Sequence, residues 1–256
     1  MTAILDGVAY WVVKIILTPV LRFFYRLRVE GIENVPDRGP VILAGNHISF
    51  CDSIFLPLVL RRRVTFVAKA EYFEDRKTAW FFRAVGQIPI KRDGGPASIR
   101  ALDTAQEVLK AGSVFGIYPE GTRSPDGRLY TGHTGVARLA VETGAPVVAV
   151  AMVGTDVVQP IGQVMPRLFR TVTVRFSEPM YFSSERARPE PLLLRQATDE
   201  IMFRLRELSG QQYVHRYAKR GEALGVAEVV RPQPVVPTPL PGVAEFPEAA
   251  LTGLAG

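Results

Sequence analysis

The 256 residues carry 31 Lys and Arg against 25 Asp and Glu, a formal net charge of +6, and 47% of them are hydrophobic, enough for one sizeable core and no reason to invoke a second. A single cysteine excludes an intramolecular disulfide and suits a reducing compartment; one cysteine and three histidines also exclude a clustered metal-ligand set. The basic balance favours an anionic partner such as a phospholipid surface or a coenzyme; nucleic acid is disfavoured, because no zinc-ligand set or RNA-binding signature accompanies the charge.

The chain opens with two apolar runs, Val8 to Val13 and Ile15 to Leu17, which Lys14, Pro19, Arg22 and Arg26 interrupt before the ~20 residues that a spanning helix requires. The three cations recur at multiples of four, while Trp11, Ile15, Leu21 and Phe24 supply apolar surface elsewhere. This predicts an amphipathic helix lying in a membrane interface, with a helix packed on the domain as the alternative. Asp6 precedes the run and no basic segment leads it, against a secretory signal.

Strands are expected over Val41 to Ala44, Val64 to Ala68, Gln87 to Ile90, Val114 to Tyr118, Val147 to Val153 and Val172 to Phe176. Between them, Ile99, Leu102, Ala105, Val108 and Leu109 mark a helix over 97–111, and Leu193, Ile201 and Leu205 another over 189–208. The fold class is therefore α/β, a single domain with a mixed central β-sheet flanked by helices, plus the N-terminal amphipathic helix. Residues 1–30 form the interface segment and 31–220 the α/β domain. Residues 221–256, with Pro232, Pro234, Pro237, Pro239, Pro241 and Pro247, form an extended or disordered tail.

Chemistry concentrates where two predicted strands end. The first runs into Gly45 and Asn46, then His47, with Asp52 five positions later. If the chain curls there into a helical turn, the carboxylate reaches one ring nitrogen and leaves the other free to take a proton. No serine-type nucleophile motif accompanies the pair, so such a base would act directly on a substrate hydroxyl. The competing reading is a solvent-facing His47 with Asp52 as a helix N-cap. The other strand runs from Val114 to Tyr118 into Pro119-Glu120-Gly121-Thr122-Arg123-Ser124. There Gly121 permits close backbone approach, Thr122 and Ser124 offer hydroxyls, and Arg123 offers a planar fork for phosphate. An ordinary Glu120 to Arg123 ion pair is the alternative. Cys51 is expected to be buried and inert, and His215 to lie at the surface.

With Gly86-Gln87-Ile88-Pro89-Ile90-Lys91-Arg92 and Ala145-Pro146-Val147-Val148-Ala149-Val150, these segments make four blocks in order, from Asn46-His47-x-x-x-x-Asp52 through Tyr118 to Ser124. The chain thereby resembles the glycerophospholipid acyltransferase family, in particular the 1-acylglycerol-3-phosphate acyltransferases. The resemblance implies that His47 deprotonates an acceptor hydroxyl, which attacks the thioester of acyl-CoA or acyl carrier protein, and that Asp52 holds the tautomer and stabilises the imidazolium. It implies that Arg92, Glu120, Gly121, Thr122 and Arg123 bind the acceptor phosphate, with Lys91 a further candidate. Glu120, being acidic, would orient Arg92, Arg123 or a glycerol hydroxyl. Backbone amides at Gly86, Ile88 and Ile90 are candidates for the oxyanion.

The implied product is phosphatidate, made without metal or cofactor at the cytoplasmic face of a membrane. The alternatives are an enzyme of the same fold using another lysophospholipid or a glycolipid, and an idle lipid-binding protein. One departure from the family pattern is His133-Thr134-Gly135 where many members have Lys-x-Gly. A neutral imidazole there would bind phosphate more weakly or with pH dependence, unless His133 is simply a solvent-facing residue before the helix at 136–141. Arg61-Arg62-Arg63 and Trp80-Phe81-Phe82-Arg83 are left between lipid or donor contact and an ordinary core with a solvated edge.

Overall fold

The computed structural model describes residues 2–74, 79, 82, 85–90, 95–183 and 190–219. The chain begins with helix α1 (Thr2–Phe24), strand β1 (Arg26–Glu30), a 3-10 turn and β2 (Val41–Gly45). Next come α2 (Asp52–Val59), β3 (Val64–Lys69), the short α3 (Glu71–Glu74), β4 (Ile88–Ile90) and α4 (Gly95–Lys110). They are followed by β5 (Val114–Ile117), β6 (Leu129–Tyr130), α5 (Gly135–Thr143), β7 (Val147–Val153) and the one-turn α6 (Thr155–Val158). The described chain closes with β8 (Thr171–Phe176), α7 (Pro191–Ser209) and β9 (Tyr213–Val214).

Seven strands form one sheet in the order β1-β8-β7-β2-β5-β3-β4, and β6 pairs with β9 apart from it. Every pairing in the large sheet is parallel except β7 with β8, so the sheet is mixed, as expected. Its central strand β2 is Val-Ile-Leu-Ala-Gly, buried throughout. Such a run suits a parallel strand covered on both faces. Alternation then divides it: Val41 and Leu43 join Phe55, Leu56 and Leu60 beneath α2, while Ile42 and Ala44 join Leu109, Leu139 and Ile201 beneath α4, α5 and α7. Because β2, β5 and β7 are parallel, all three deliver their loops to one edge of the sheet.

β1 was not expected. Its Arg-Leu-Arg-Val-Glu alternates exposed and half-buried positions at the sheet's edge beside β8, and its first arginine, Arg26, reads in sequence as part of the preceding helix. Helix α1 ends at Phe24, so Arg26 belongs to β1 and does not continue a helical cationic stripe. Lys14 leaves that stripe too: its ammonium donates to the carbonyls of Pro57 (3.0 Å) and Leu60, capping the end of α2, and burial lowers its pKa to about 8. The exposed stripe of α1 is instead apolar, through Val8, Val12, Ile15, Ile16 and Phe23 at helical spacing. No helix among the described residues is long and apolar enough to cross a membrane.

Within the arginine triplet, Arg62 is spent on the carbonyls of Pro36, Gly39 and Gly112, and Arg63 lies over the Tyr10 ring, leaving Arg61 exposed. Phe82 is buried in the core, whereas Trp80, Phe81, Arg83 and the Pro-rich tail lie outside the described residues.

Candidate active site

His47 leaves the end of β2 under the control of its neighbour. Asn46, fully buried, copies a peptide group: its Nδ2 donates to the Met152 carbonyl (3.0 Å) and its Oδ1 accepts from Met152 N–H (2.7 Å), which fastens the end of β2 to β7. The same amide donates to Gln211 Oε1 at 2.7 Å. The chain then turns sharply into α2, and the Asp52 carboxylate organises the turn. Its Oδ2 accepts from the backbone N–H of Ile48 and Ser49, both at 2.8 Å, and lies 2.9 Å from His47 Nδ1. Its Oδ1 accepts from Thr155 Oγ1 at 2.5 Å. A wholly buried carboxylate with four partners is satisfied as an anion, and it fixes the imidazole with Nε2 as the nitrogen available to a substrate.

The ring is also held from its face. Tyr118, at the end of β5, stacks on His47 with centroids 4.0 Å apart and planes 9° apart, and stacks in turn on Phe66. Burial, and then the Asp52 charge, push the Tyr118 phenol well above its ordinary pKa, so it stays neutral and shares a 2.9 Å hydrogen bond with Ser53. Behind the turn, Ser49 Oγ donates to the Gln159 carbonyl and the buried Cys51 thiol to Gln159 Oε1. Burial pushes that thiol up to about 11, so Cys51 is protonated and inert, as expected.

The loop after β5 is stapled to the same turn. Ser124 N–H donates to the His47 carbonyl at 2.7 Å. Glu120 was expected to orient an arginine or a glycerol hydroxyl, but it is buried and accepts from two backbone N–H groups, Tyr130 on Oε1 (2.9 Å) and His47 on Oε2 (3.2 Å). Burial raises its pKa to about 8 against the lowering effect of those two bonds. Ser124 is likewise not offered to a ligand: its hydroxyl is buried on the Arg128 carbonyl.

Arg123 is exposed and has no hydrogen-bond or ion-pair partner among the described residues; Thr122 is half-buried. Gly121 is exposed at φ +70°, and a Cβ on it would meet the His133 ring at 3.1 Å. His133 thus lies against the loop, stacked on Tyr217 and donating its backbone N–H to the Pro119 carbonyl. Burial and the nearby Arg195 lower its pKa, so it is neutral at physiological pH.

Lys91 and Arg92 lie outside the described residues. Gly86 is turned at φ +76° against the Arg63 guanidinium, not against His47. Ile88 and Ile90 belong to β4, which β3 and β5 separate from β2, roughly 14 Å at the usual strand spacing. Oxyanion donors must sit about 3 Å from the reacting atom. Ile88 and Ile90 lie three strands from β2, while the segment before β4 comes nearer the His47 turn, with the Phe82 and Phe50 rings 6.2 Å apart.

Sequence reasoning missed Thr155, Gln211 and Tyr217. Thr155 follows a buried strand at the same sheet edge, a position worth inspecting in any parallel sheet. Gln211 and Tyr217 carry no local signal, because only the docking of β9 on β6 brings them to the site.

The Acyltransferase family model matches residues 26–153, half of the 256 residues. The chain is 35% identical over 140 residues to the chloroplastic 1-acyl-sn-glycerol-3-phosphate acyltransferase of Arabidopsis thaliana, covering 54% of this chain and 39% of that protein. To the 1-acyl-sn-glycerol-3-phosphate acyltransferase of Bacillus subtilis it is 31% identical over 131 residues, covering 50% of this chain and 63% of that one. It therefore spans less than two thirds of the length of these curated relatives. The crystal structure of the 1-acyl-sn-glycerophosphate (LPA) acyltransferase of Thermotoga maritima superposes with a TM-score of 0.56 at 30% identity, covering 72% of both chains. With its His47 and Asp52 turn held between β2, β5 and β7, the chain belongs to the Acyltransferase family.

Proposed function

We propose that the protein transfers a fatty acyl group from an acyl thioester, acyl-CoA or acyl carrier protein, to the sn-2 hydroxyl of 1-acylglycerol-3-phosphate, forming phosphatidate. The observation that carries this reading is the 2.9 Å contact between His47 Nδ1 and an Asp52 carboxylate already held by three other donors. It is supported by relatives that bear the name 1-acyl-sn-glycerol-3-phosphate acyltransferase.

His47 Nε2 takes the proton of the acceptor hydroxyl as its oxygen attacks the thioester carbon. Asp52 stabilises the imidazolium, the tetrahedral intermediate collapses with cleavage of the C–S bond, and the imidazolium returns its proton to the departing thiolate. The products are phosphatidate and a free thiol. Arg123, without a partner among the described residues and with Gly121 and Thr122 beside it, receives the acceptor phosphate; Arg92 and Lys91 complete that site from the second motif. His133 contributes one neutral donor where a lysine would add charge. The reaction would take place at the cytoplasmic face of a membrane, with α1 on the interface, the acyltransferase domain running from β1, earlier than the expected start at 31, to residue 220, and 221–256 as a tail.

The test is an acceptor panel. Lysophosphatidate should be acylated and uncharged monoacylglycerol should be a poor acceptor. Arg123→Ala should cut kcat/KM for lysophosphatidate by about tenfold or more, in line with a charge-assisted contact of roughly 1.5–3 kcal/mol, and leave monoacylglycerol turnover unaltered. Equal losses on both acceptors would remove the phosphate role. A stronger preference for a larger headgroup would reassign the acceptor.

A further inference from the structure

Residues 161–170 are all exposed, yet the segment is rich in large apolar side chains: Val164 is 84% exposed, Met165 78% and Phe169 67%. The loop is nonetheless ordered. Gln159 Nε2 donates to the Val164 carbonyl at 3.0 Å, Arg167 N–H to the Val158 carbonyl at 2.7 Å, and Phe169 N–H to the Phe24 carbonyl at 2.8 Å. Phe169 adopts φ +58°, a left-handed conformation that costs a bulky residue energy, and its ring lies 5.9 Å from that of Phe24. The loop thus joins the end of α1, where Phe23 is 75% exposed. A hollow of about 340 Å³ separates them, with Arg22, Phe23, Arg26 and Phe169 in its wall.

Contiguous apolar side chains left exposed on a hydrogen-bonded loop call for a partner. Here the chemistry of that partner is indicated by charge: Arg22, Arg26, Arg167 and Arg170 are exposed among the apolar residues, and no acidic residue occurs between Val157 and Arg170. An apolar crest set among cations matches a membrane surface, with acyl chains to receive the crest and anionic headgroups to meet the arginines.

We propose that the loop at 159–170 is a second membrane-docking element, which inserts Val164, Met165 and Phe169 into an anionic phospholipid surface beside the end of α1. The proposal rests on the acyltransferase reading and adds to it a physical link. The loop begins at Gln159, which binds Ser49 and Cys51, and follows α6, whose Thr155 binds Asp52. Lipid contact therefore anchors the turn that holds the base, and presents the base to acceptors lying in the membrane.

The experiment uses the full chain and vesicles of phosphatidylcholine with and without phosphatidylglycerol. Val164→Ser with Met165→Ser should weaken co-sedimentation with the phosphatidylglycerol vesicles at least about tenfold, and Arg167→Gln with Arg170→Gln should erase the preference for them. With Trp11 and Trp80 replaced by Phe, a tryptophan placed by Met165→Trp should shift its emission to the blue on vesicle addition. A short-chain acceptor below its micellar concentration should be turned over by the serine variant as by the parent. Vesicle binding within about twofold of the parent, with no emission shift, would overturn the proposal. So would a self-association in the parent that the serine variant abolishes, since the crest would then belong to a second copy. Absence of turnover by the parent on every acceptor would instead strike the acyltransferase reading and leave the vesicle result standing.

Discussion

Asp52 and Glu120 are both buried carboxylates at one site, and their surroundings divide their roles. Asp52 receives an imidazole, two backbone N–H groups and a hydroxyl, while Glu120 receives two backbone N–H groups and is pushed up to about 8 by burial. Thr155→Val removes one donor from the Asp52 anion, worth roughly 1.5–3 kcal/mol. It should lower kcat about tenfold with little change in KM, and lower stability in urea by an amount of that order. An unchanged kcat would reduce Thr155 to a filler. Glu120 titrates with the opposite consequence to an ordinary ion-paired carboxylate. Because its folded pKa lies above the ordinary value of about 4.5, the stabilisation linked to its proton is complete below about 4.5 and is lost as pH rises through about 8. Urea unfolding from pH 4.5 to 8 should show stability falling more with pH in the parent than in Glu120→Gln; parallel curves would mean that Glu120 is ionised throughout. The His47 to Asp52 spacing was legible because a five-residue step across a turn is a local relation. Glu120 was misread because its partners, the His47 and Tyr130 backbones, are set by tertiary structure.

β2, β5 and β7 were legible as apolar runs ended by polar residues, and the site lies where those runs stop. β1 and the pair β6 with β9 were not, since an edge strand with alternating arginines and two-residue strands carry too little periodic signal. The strands also transmit packing to the base. Gly116 in β5 faces Phe66 so closely that a Cβ would lie 2.2 Å from its ring, and Phe66 supports Tyr118, which supports His47. Gly116→Ala should cost about 1–3 kcal/mol by overpacking and should lower kcat as the stack shifts. Thermal unfolding together with turnover measures both, and wild-type values for both would show that the stack yields without consequence.

At the scale of the whole molecule, the parallel part of the sheet gathers three strand ends around one histidine, while α1 and the loop before β8 present apolar side chains to the outside. The helix α1 and its apolar surface were legible, but the places of Lys14 and Arg26 were not, because Lys14 caps α2 and Arg26 enters the sheet. At the centre of the proposed reaction stands His47, as the base of an acyl transfer to a lipid hydroxyl. The direct measurement is acceptor-dependent release of free thiol from an acyl thioester, with lysophosphatidate present or absent, for the parent and for His47→Ala. Release is expected only with acceptor, with a loss of roughly 100-fold to 10,000-fold in His47→Ala and with circular dichroism and vesicle binding unchanged. Release at near-parental rate by His47→Ala would contradict that role.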